Sequence, residues 1–538
     1  MDISATKLRN YFINDPILDW FNYHGESKGF QKDSGENYTN LILDRGNEFE
    51  KNVIDKIKSK NFSFIDVKEK HSKFCKEAVY DTRSYMREGV EIIYQGFLYD
   101  SKLKIYGIPD LLIRSDIISK LFENNPKIIK PTNKEFCWTY FVVDIKYSTI
   151  NIGSKNQILN EGSKKAFKAQ IYVYNLILNN MFFGELDEMP QPFGFILSRR
   201  MKNKNDIIDG MNCLGEINYE NELYGDDVRR GLEWVRDVIK NGGNWDVYNP
   251  HRRELKPNMK NHEDYPWSSA KKKLANEQND LTRIWHVSKR IRDEVDEYGG
   301  EVTEYFSDDD RRKIIKKMIG GKKKNNFSRV DLSCFNEKLC FYVDFEFING
   351  CEFSFDHDTR THLYMIGVGH EENGKWVFNT FIPEKLEDRD EKDIIVKWMS
   401  YMKEVGRRIG KEYVVIHWTN AEPSLFNRLK YRLKLRGELH FIDLQKIFKN
   451  SHLVFDGMNN YGLKTVAKSM KNAGLIKTEW DDNVTDGLGA NMILIRGLNR
   501  GNLREIDGMG EIIKYNEVDC LVLYEILKYL GNSAKNNM

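Results

Sequence analysis

The stretch YFVVDIKYS, residues 140–148, is an apolar run interrupted by one aspartate and one lysine. Along a strand alternate side chains share a face, so Asp144 and Lys146 point one way while Val143, Ile145 and Tyr147 point the other. A surface ion pair at a strand end would account for the two charges, at a value of at most about 1 kcal/mol. The alternative is a catalytic pair that needs a rigid strand as its mount. What the rest of the chain supplies decides between them.

Reading backwards, YGIPDLLI (106–113) turns through Gly107 and Pro109 and places Asp110 directly ahead of three apolar residues. An aspartate buried there alone would be costly, and a metal ion would remove that cost. Earlier, LILDRGNEFEKNVIDKI (41–57) opens a helix with Gly46 and sets Glu50 four residues on. Later, KKAFKAQIYVYNLIL (164–178) is a helix on which Gln170 and Tyr174 share a face. Hydrolysis of a phosphodiester needs carboxylates to hold a divalent metal and a cation near the attacking water or the scissile phosphate. Asp110 and Asp144 supply oxygen ligands of the kind Mg²⁺ prefers, Glu50 completes the set, and Lys146 is the cation. Taken singly, each residue has a plainer account. Glu50 reads as a solvated helix residue, G-x-P-D as a turn, and Gln170 with Tyr174 as a buried polar contact.

A second constellation follows in CFYVDFEF (340–347), where Asp344 and Glu346 sit two apart on one strand face. Two adjacent anions on a buried strand repel, and divalent metals would neutralise both. VVIHWTNAEPSLFNRL (414–429) then runs from a strand into a helix with Glu422 near its start, where a plain helix-terminus preference also suffices. YNEVDCLVLYEIL (515–527) places Tyr515 and Asp519 four apart on one helix face. Asp443, in FIDLQKIF, reads as an N-cap or turn residue that would have to approach the site to join it.

With 538 residues the chain has room for two or three domains, each with its own core. Hydrophobic residues at 40% and aromatics at 12% are ordinary for a folded, soluble protein. No run approaches the roughly 20 apolar residues of a membrane span, and no signal-peptide pattern opens the chain. An intracellular home (cytoplasm, nucleus or viral factory) is expected, with no membrane partner. The 83 Lys and Arg balance 81 Asp and Glu, so nucleic-acid binding turns on local clusters such as SRRMKNK, KKAFK, GGKKKNN and RLKYRLKLR. Seven cysteines without a C-x-x-C pair argue against a disulfide framework and against a zinc ribbon.

Residues 1–205 mix helices with strand-like runs, 206–330 read as a helical connector, and strands and helices alternate again over 331–538. Within the connector, DDVRRGLEWVRDVIKN (226–241) and SAKKKLANEQNDLTRIWHVSKRIRDEVDEYG (269–299) read as helices, and GGKKKNN (320–326) as a flexible basic linker.

The ordered set G-x-x-x-E, G-I-P-D, D-I-K and Q-x-x-x-Y resembles the RecB-like branch of the PD-(D/E)XK nucleases, and SATKLRNYFINDPILDW resembles the entry helix of that branch. The resemblance implies a restriction-endonuclease-like α/β domain over 1–205. It makes Glu50, Asp110 and Asp144 metal ligands, Lys146 the catalytic lysine, and Gln170 with Tyr174 an accessory pair at the site. Glu50 stands where many members carry histidine. Asp15 precedes Pro16 where iron–sulfur members carry cysteine, and no cysteine cluster follows, so no such cluster is expected.

The second set, D-x-E, an acidic residue, then Y-x-x-x-D, resembles the RNase H-like DEDD exonucleases of the tyrosine type, with NNYGLKTVAKSM (459–470) similar to the helix before their last motif. By that resemblance Asp344, Glu346, Glu422 and Asp519 are metal ligands and Tyr515 orients the attacking water. Glu422 departs from the commoner aspartate. Together the two resemblances imply an Mg²⁺- or Mn²⁺-dependent deoxyribonuclease acting in repair, recombination, replication or defence. Its partner would be DNA, single-stranded or with free ends. No helicase motif is present, so unwinding would fall to a helicase partner, and a homodimer is compatible with the pattern. The Asn-, Lys- and Ile-rich composition suggests an AT-rich genome, as in giant viruses. Two alternatives stay open: a 3′–5′ exonuclease acting on RNA, and a DNA-binding adaptor in which one nuclease domain is inactive.

Overall fold

The computed structural model describes all residues except 35–37, 185–188, 205, 221–223, 321–324, 326, 328–329, 351–359, 481–486, 499–500 and 536–538. Most of the 320–326 basic run therefore lies outside the described residues. The chain forms two compact units: 1–35 with 42–280, and 36–41 with 281–538. No described helix is long and apolar enough to cross a membrane.

The first unit is built on a mixed sheet whose middle strand is Tyr140–Asn151. Tyr140 to Val143 are buried without interruption, as a strand covered on both faces must be. On one side this strand pairs antiparallel with Leu111–Arg114, in register Leu111 opposite Val143. On the other it pairs parallel with Phe193–Asn203, in register Asp144 opposite Ile196. Parallel neighbours need a crossover, and the helix Lys164–Phe183 supplies it. Beyond Leu111–Arg114 the sheet continues through Ile92–Tyr94 and Phe64–Asp66. A separate small sheet joins Ile3–Ser4, Ile105–Gly107 and Leu98–Asp100.

The stretch expected as one entry helix is broken into a 3-10 turn Ala5–Leu8 and two short helices, Arg9–Phe12 and Ile17–Trp20. Asn14 takes a left-handed φ of +60°, and Pro16 has no N–H to continue the helical ladder.

The 206–330 region differs from a free-standing helical connector. Asp206–Asp209 and Gly215–Asn218 are strands of the first unit's sheet, both pairing with Phe193–Asn203. Gly225–Asn241 is the expected helix, burying Val228, Leu232, Val235 and Val238 along one stripe. The long 269–299 segment is interrupted: Ser268–Glu277 and Lys289–Tyr298 are helical, with Asn279 and His286 at left-handed φ between them. Ser288 caps the second helix by accepting from Ile291 N. The unit boundary falls inside this break, between Asp280 and Leu281.

The second unit centres on Leu339–Asn349 in a five-stranded sheet. That strand pairs antiparallel with Thr361–Glu372 and parallel with Tyr413–His417. Lys375–Phe381 and Phe441–Asp443 form the two edges. Its apolar face carries Phe341, Val343 and Phe345 into a core with Ile394, Trp398 and Leu425. The opposite face carries Asp344 and Glu346 toward the closing helix Met509–Lys535. A register shift immediately after Glu346 re-aims the strand there.

Candidate functional site

In the first unit, Asp144 is buried, which rules out the surface ion pair. Lys146 Nζ approaches Asp144 Oδ2 to 2.5 Å, a close charge contact without a well-directed hydrogen bond at that oxygen. Asp110 reaches across from the bend that leads into the neighbouring strand Leu111–Arg114, its Oδ2 accepting from Ile145 N at 2.7 Å. Glu50, on the helix Tyr38–Lys58, accepts from Tyr94 Oη at 2.7 Å and from Gln95 Nε2 at 3.0 Å. The same Gln95 amide donates to Asp110 Oδ1 at 3.2 Å, so one carboxamide bridges two carboxylates. Gln95 holds a φ of +52°, a left-handed conformation that costs a side-chain-bearing residue about 1–2 kcal/mol.

Burial, then the nearby Asp144 and Glu50 charges, push the Asp110 carboxyl well above the usual range, while Lys146 and the Ile145 N–H pull against them. Burial pulls the Lys146 ammonium down, but Asp144 and Asp110 outweigh it and the net direction is up. Gln170 donates to Tyr174 Oη at 2.8 Å, and the Tyr174 ring fills the space beside Gly107, where an added Cβ would stand 2.0 Å from Cε1. The plain account of a buried polar contact describes that pair. Burial and the Asp144 charge also raise the Tyr174 phenol, which places it within electrical reach of the carboxylates.

The second unit gathers its carboxylates more tightly. Asp344, Glu346 and Asp519 each present an oxygen such that all three lie within 4.8 Å of one another, the one such group among the described residues. Glu346 and Asp519 are buried. Burial and the surrounding carboxylates Asp519, Glu346 and Glu422 raise Asp344 well above the ordinary range. Burial lifts Glu346 to about 7 against the opposing Asn516 hydrogen bond and the Lys464 charge. Burial and Glu346 lift Asp519 to about 7, opposed by Lys464, Tyr515 and Trp480. Burial, followed by Asp519, raises the Tyr515 phenol, which stays a proton donor.

Glu422 is buried on the first turn of the helix Ala421–Arg432. It stands beside His417, with Nδ1 to Oε2 at 3.5 Å, and adds charge to Asp344 and Glu346 without joining the three-oxygen cluster. Asp443 is an N-cap, accepting from Lys446 N at 3.1 Å and Thr419 N at 3.3 Å. Trp418 packs in the core and donates to Tyr461 O.

Three further residues touch this centre. Asn516 donates to Asp344 Oδ2 at 2.7 Å and Glu346 Oε1 at 3.4 Å. Trp480 Nε1 donates to Asp519 Oδ1 at 3.2 Å. Lys464 stacks its ammonium over Tyr515 at 4.8 Å and Trp480 at 5.6 Å. Asn516 was within reach of a face argument, since it lies three residues before Asp519 on the same helix. Lys464 lies in NNYGLKTVAKSM, the segment similar to the helix before the last motif, although its own role there carried no signal, and Trp480 arrives from a remote segment with none.

Asn516 fits only because Gly367 lies opposite Asp344 in the sheet; a Cβ on Gly367 would stand 1.6 Å from Asn516 Oδ1. Gly367→Ala is therefore expected to cost about 1–3 kcal/mol and to displace the carboxamide from both carboxylates. Thermal melts with and without divalent ion measure it. A variant that melts and responds to the ion as the wild type does would contradict this packing.

The raised carboxyls make a signed prediction about the ion-free protein. At Glu346 and Asp519 the folded state binds protons more tightly than the unfolded chain, so their contribution is full below about pH 4 and lost as pH rises through about 7. In chelator, Glu346→Gln should gain stability relative to the wild type over that rise, on the order of 1–3 kcal/mol. A wild-type-minus-variant melting difference that stays flat with pH would refute the assignment.

No curated protein and no solved structure matched this sequence. Residues 351–531 match the family model described as RNase_H superfamily, a segment that contains Glu422, Tyr515 and Asp519 and begins just after Asp344 and Glu346. The C-terminal part of the chain is RNase H-like.

Proposed function

We propose that this chain is a metal-dependent nuclease that hydrolyses phosphodiester bonds in DNA at two carboxylate centres. The observation that carries the reading is the cluster of Asp344, Glu346 and Asp519, whose ligand oxygens converge within 4.8 Å. Three mutually repelling, largely buried carboxylates form a poor structural element and a good cradle for a hard divalent cation such as Mg²⁺ or Mn²⁺. A bound ion of this kind polarises a phosphoryl oxygen and lowers the pKa of its water. The chain's own residues do the rest. Asn516 orients Asp344 and Glu346, Trp480 orients Asp519, and the protonated Tyr515 hydroxyl is available to align a nucleophile.

The RecB-like, PD-(D/E)XK-type reading of the first unit is supported by the meeting of Glu50, Asp110, Asp144 and Lys146 from one helix, the central strand and the bend that enters its neighbour. In that reading the three carboxylates hold the ion, and Lys146 places its ammonium where charge develops on the phosphate. Gln170 and Tyr174 brace the strand turn at Gly107. The C-terminal centre removes nucleotides from 3′ ends, and the N-terminal centre cuts near ends or internally. The fitting settings are repair, recombination, replication or defence, with a helicase partner where duplex must be opened.

The test is an assay of end-labelled linear DNA, circular DNA and RNA of matched sequence, with Mg²⁺, Mn²⁺ or chelator. Ion-dependent cleavage of DNA is the expected result. Cleavage of RNA alone would transfer the C-terminal centre to RNA processing, and binding of DNA without cleavage of either polymer would leave a DNA-binding adaptor.

A further inference from the structure

At the other end of the strand that carries Asp344, the second unit holds an open cavity of about 620 Å³. Its wall includes Lys338, Lys403, Arg407 and Lys411, with Glu412 and His440 at the same rim. Among the described residues none of these four cations makes an ion pair, whereas Arg408, on the same helix, pairs with Glu372 and Lys397 with Asp393. The C-terminus of the helix Asp388–Ile409 gives an ordinary reason for Arg407, since a cation there complements the helix dipole. It gives none for Lys403, a turn earlier, or for Lys338, which arrives on the segment entering the central strand. The Gly406 and Arg407 carbonyls near that helix end already accept from Gly410 N and Lys411 N.

We infer that this cavity is a docking site for the phosphate backbone of a nucleic-acid strand whose end is engaged at the Asp344 centre, an inference that rests on the nuclease reading. The chemistry favours a polymer over a small anion. A small phosphate ligand is usually seized by buried arginine forks or by converging backbone N–H groups. Here the cations are three exposed side chains and one half-buried lysine on flexible stems, which suits a line of phosphates tracked as point charges. Lys338 lies six residues before Asp344, about 20 Å along the chain, which corresponds to about six base pairs of duplex rise; Lys403, Arg407 and Lys411 come from the helix that covers the strand's apolar face and the turn after it, so a strand held by all four rounds the end of the sheet to reach Asp344.

The test compares the full-length wild type with the quadruple variant Lys338→Gln, Lys403→Gln, Arg407→Gln, Lys411→Gln. Binding of a labelled long oligonucleotide and of a trinucleotide is followed by fluorescence anisotropy in chelator, across about 50–200 mM salt. The expected result is at least about tenfold weaker binding of the long strand, with a salt slope shallower by about 3, and unchanged trinucleotide binding. Hydrolysis of a nitrophenyl ester of thymidine monophosphate, too small to span the distance, should be unchanged in the variant, and a wild-type melting temperature checks its fold. Equal affinity and slope in the two proteins would overturn the inference. So would a variant that loses only tripolyphosphate binding, which would make the cavity a small-anion site. Because binding is read without metal, a wild type that cuts nothing would fail the nuclease reading and leave the slope comparison intact.

Discussion

Asp344→Asn is expected to abolish hydrolysis at the C-terminal centre, lowering kcat on the order of 10³-fold, about 4 kcal/mol of transition-state stabilisation. The substitution keeps shape and removes one anion from a cluster of three whose oxygens lie within 4.8 Å. Burial and three neighbouring carboxylates already push Asp344 toward protonation, so the neutral amide relieves repulsion in the ion-free protein. Stability in chelator should therefore hold or rise while activity falls. These opposite movements distinguish a lost ligand from a damaged fold. The measurement is release of mononucleotides from 3′-labelled DNA together with a melt in chelator. Retained exonuclease activity would remove Asp344 from the reaction. A large drop in melting temperature would instead make it a structural residue.

The two strands that carry the candidate sites were legible because each interrupts a buried apolar run with charge. In YFVVDIKYS and CFYVDFEF the alternation of faces assigned Asp144 with Lys146, and Asp344 with Glu346, before any neighbour was known. Asp110 and Asp519 were legible from their local settings, one after a Gly-Pro turn and the other on a helix face with Tyr515. The carboxamides were not. Gln95 sits between two short strands beside Gly96, where it reads as turn material, and its bridge between Glu50 and Asp110 exists only once residues 45 and 15 positions apart converge. Asn516 depends on the absence of a side chain at Gly367, a fact of sheet register rather than of local pattern.

Short polar strands were opaque for a related reason. DIID and GEIN at 206–209 and 215–218 are four residues each and lie at the sheet margin, so they lack the buried run that marks a strand in sequence. The 269–299 segment has helical periodicity on both sides of its break, and only the left-handed Asn279 and His286 reveal the interruption. The basic runs also divided by environment. Arg199 and Arg200 of SRRMKNK, and Lys168 of KKAFK, are buried, whereas the charges around the Lys403 cavity are mostly open to solvent.

The second large effect is expected at Lys146. Lys146→Met preserves most of the stem and removes the ammonium that lies 2.5 Å from Asp144. Cleavage that depends on the N-terminal centre should fall about 10²–10³-fold, the usual penalty for losing a preorganised charge at the reacting group. Lys146→Arg should not restore it, because a planar guanidinium cannot occupy the place of a compact ammonium on the same strand.

Stability complicates a simple reading, since Asp144 is buried and loses its cation. Breaking a fully buried pair costs about 3–5 kcal/mol, and the partly exposed Lys146 side chain, at 22%, reduces that figure. The double variant Asp144→Asn, Lys146→Met separates the two effects. Removing both charges should recover the melting temperature lost in Lys146→Met, yet leave cleavage as low as in either single variant. Combining Lys146→Met with Asp344→Asn should then remove activity on linear and circular DNA alike, while each alone spares the substrate class of the other centre. If the double variant Asp144→Asn, Lys146→Met regained cleavage along with stability, the pair on the central strand would be a folding element, and the chain would have a single catalytic centre at Asp344, Glu346 and Asp519.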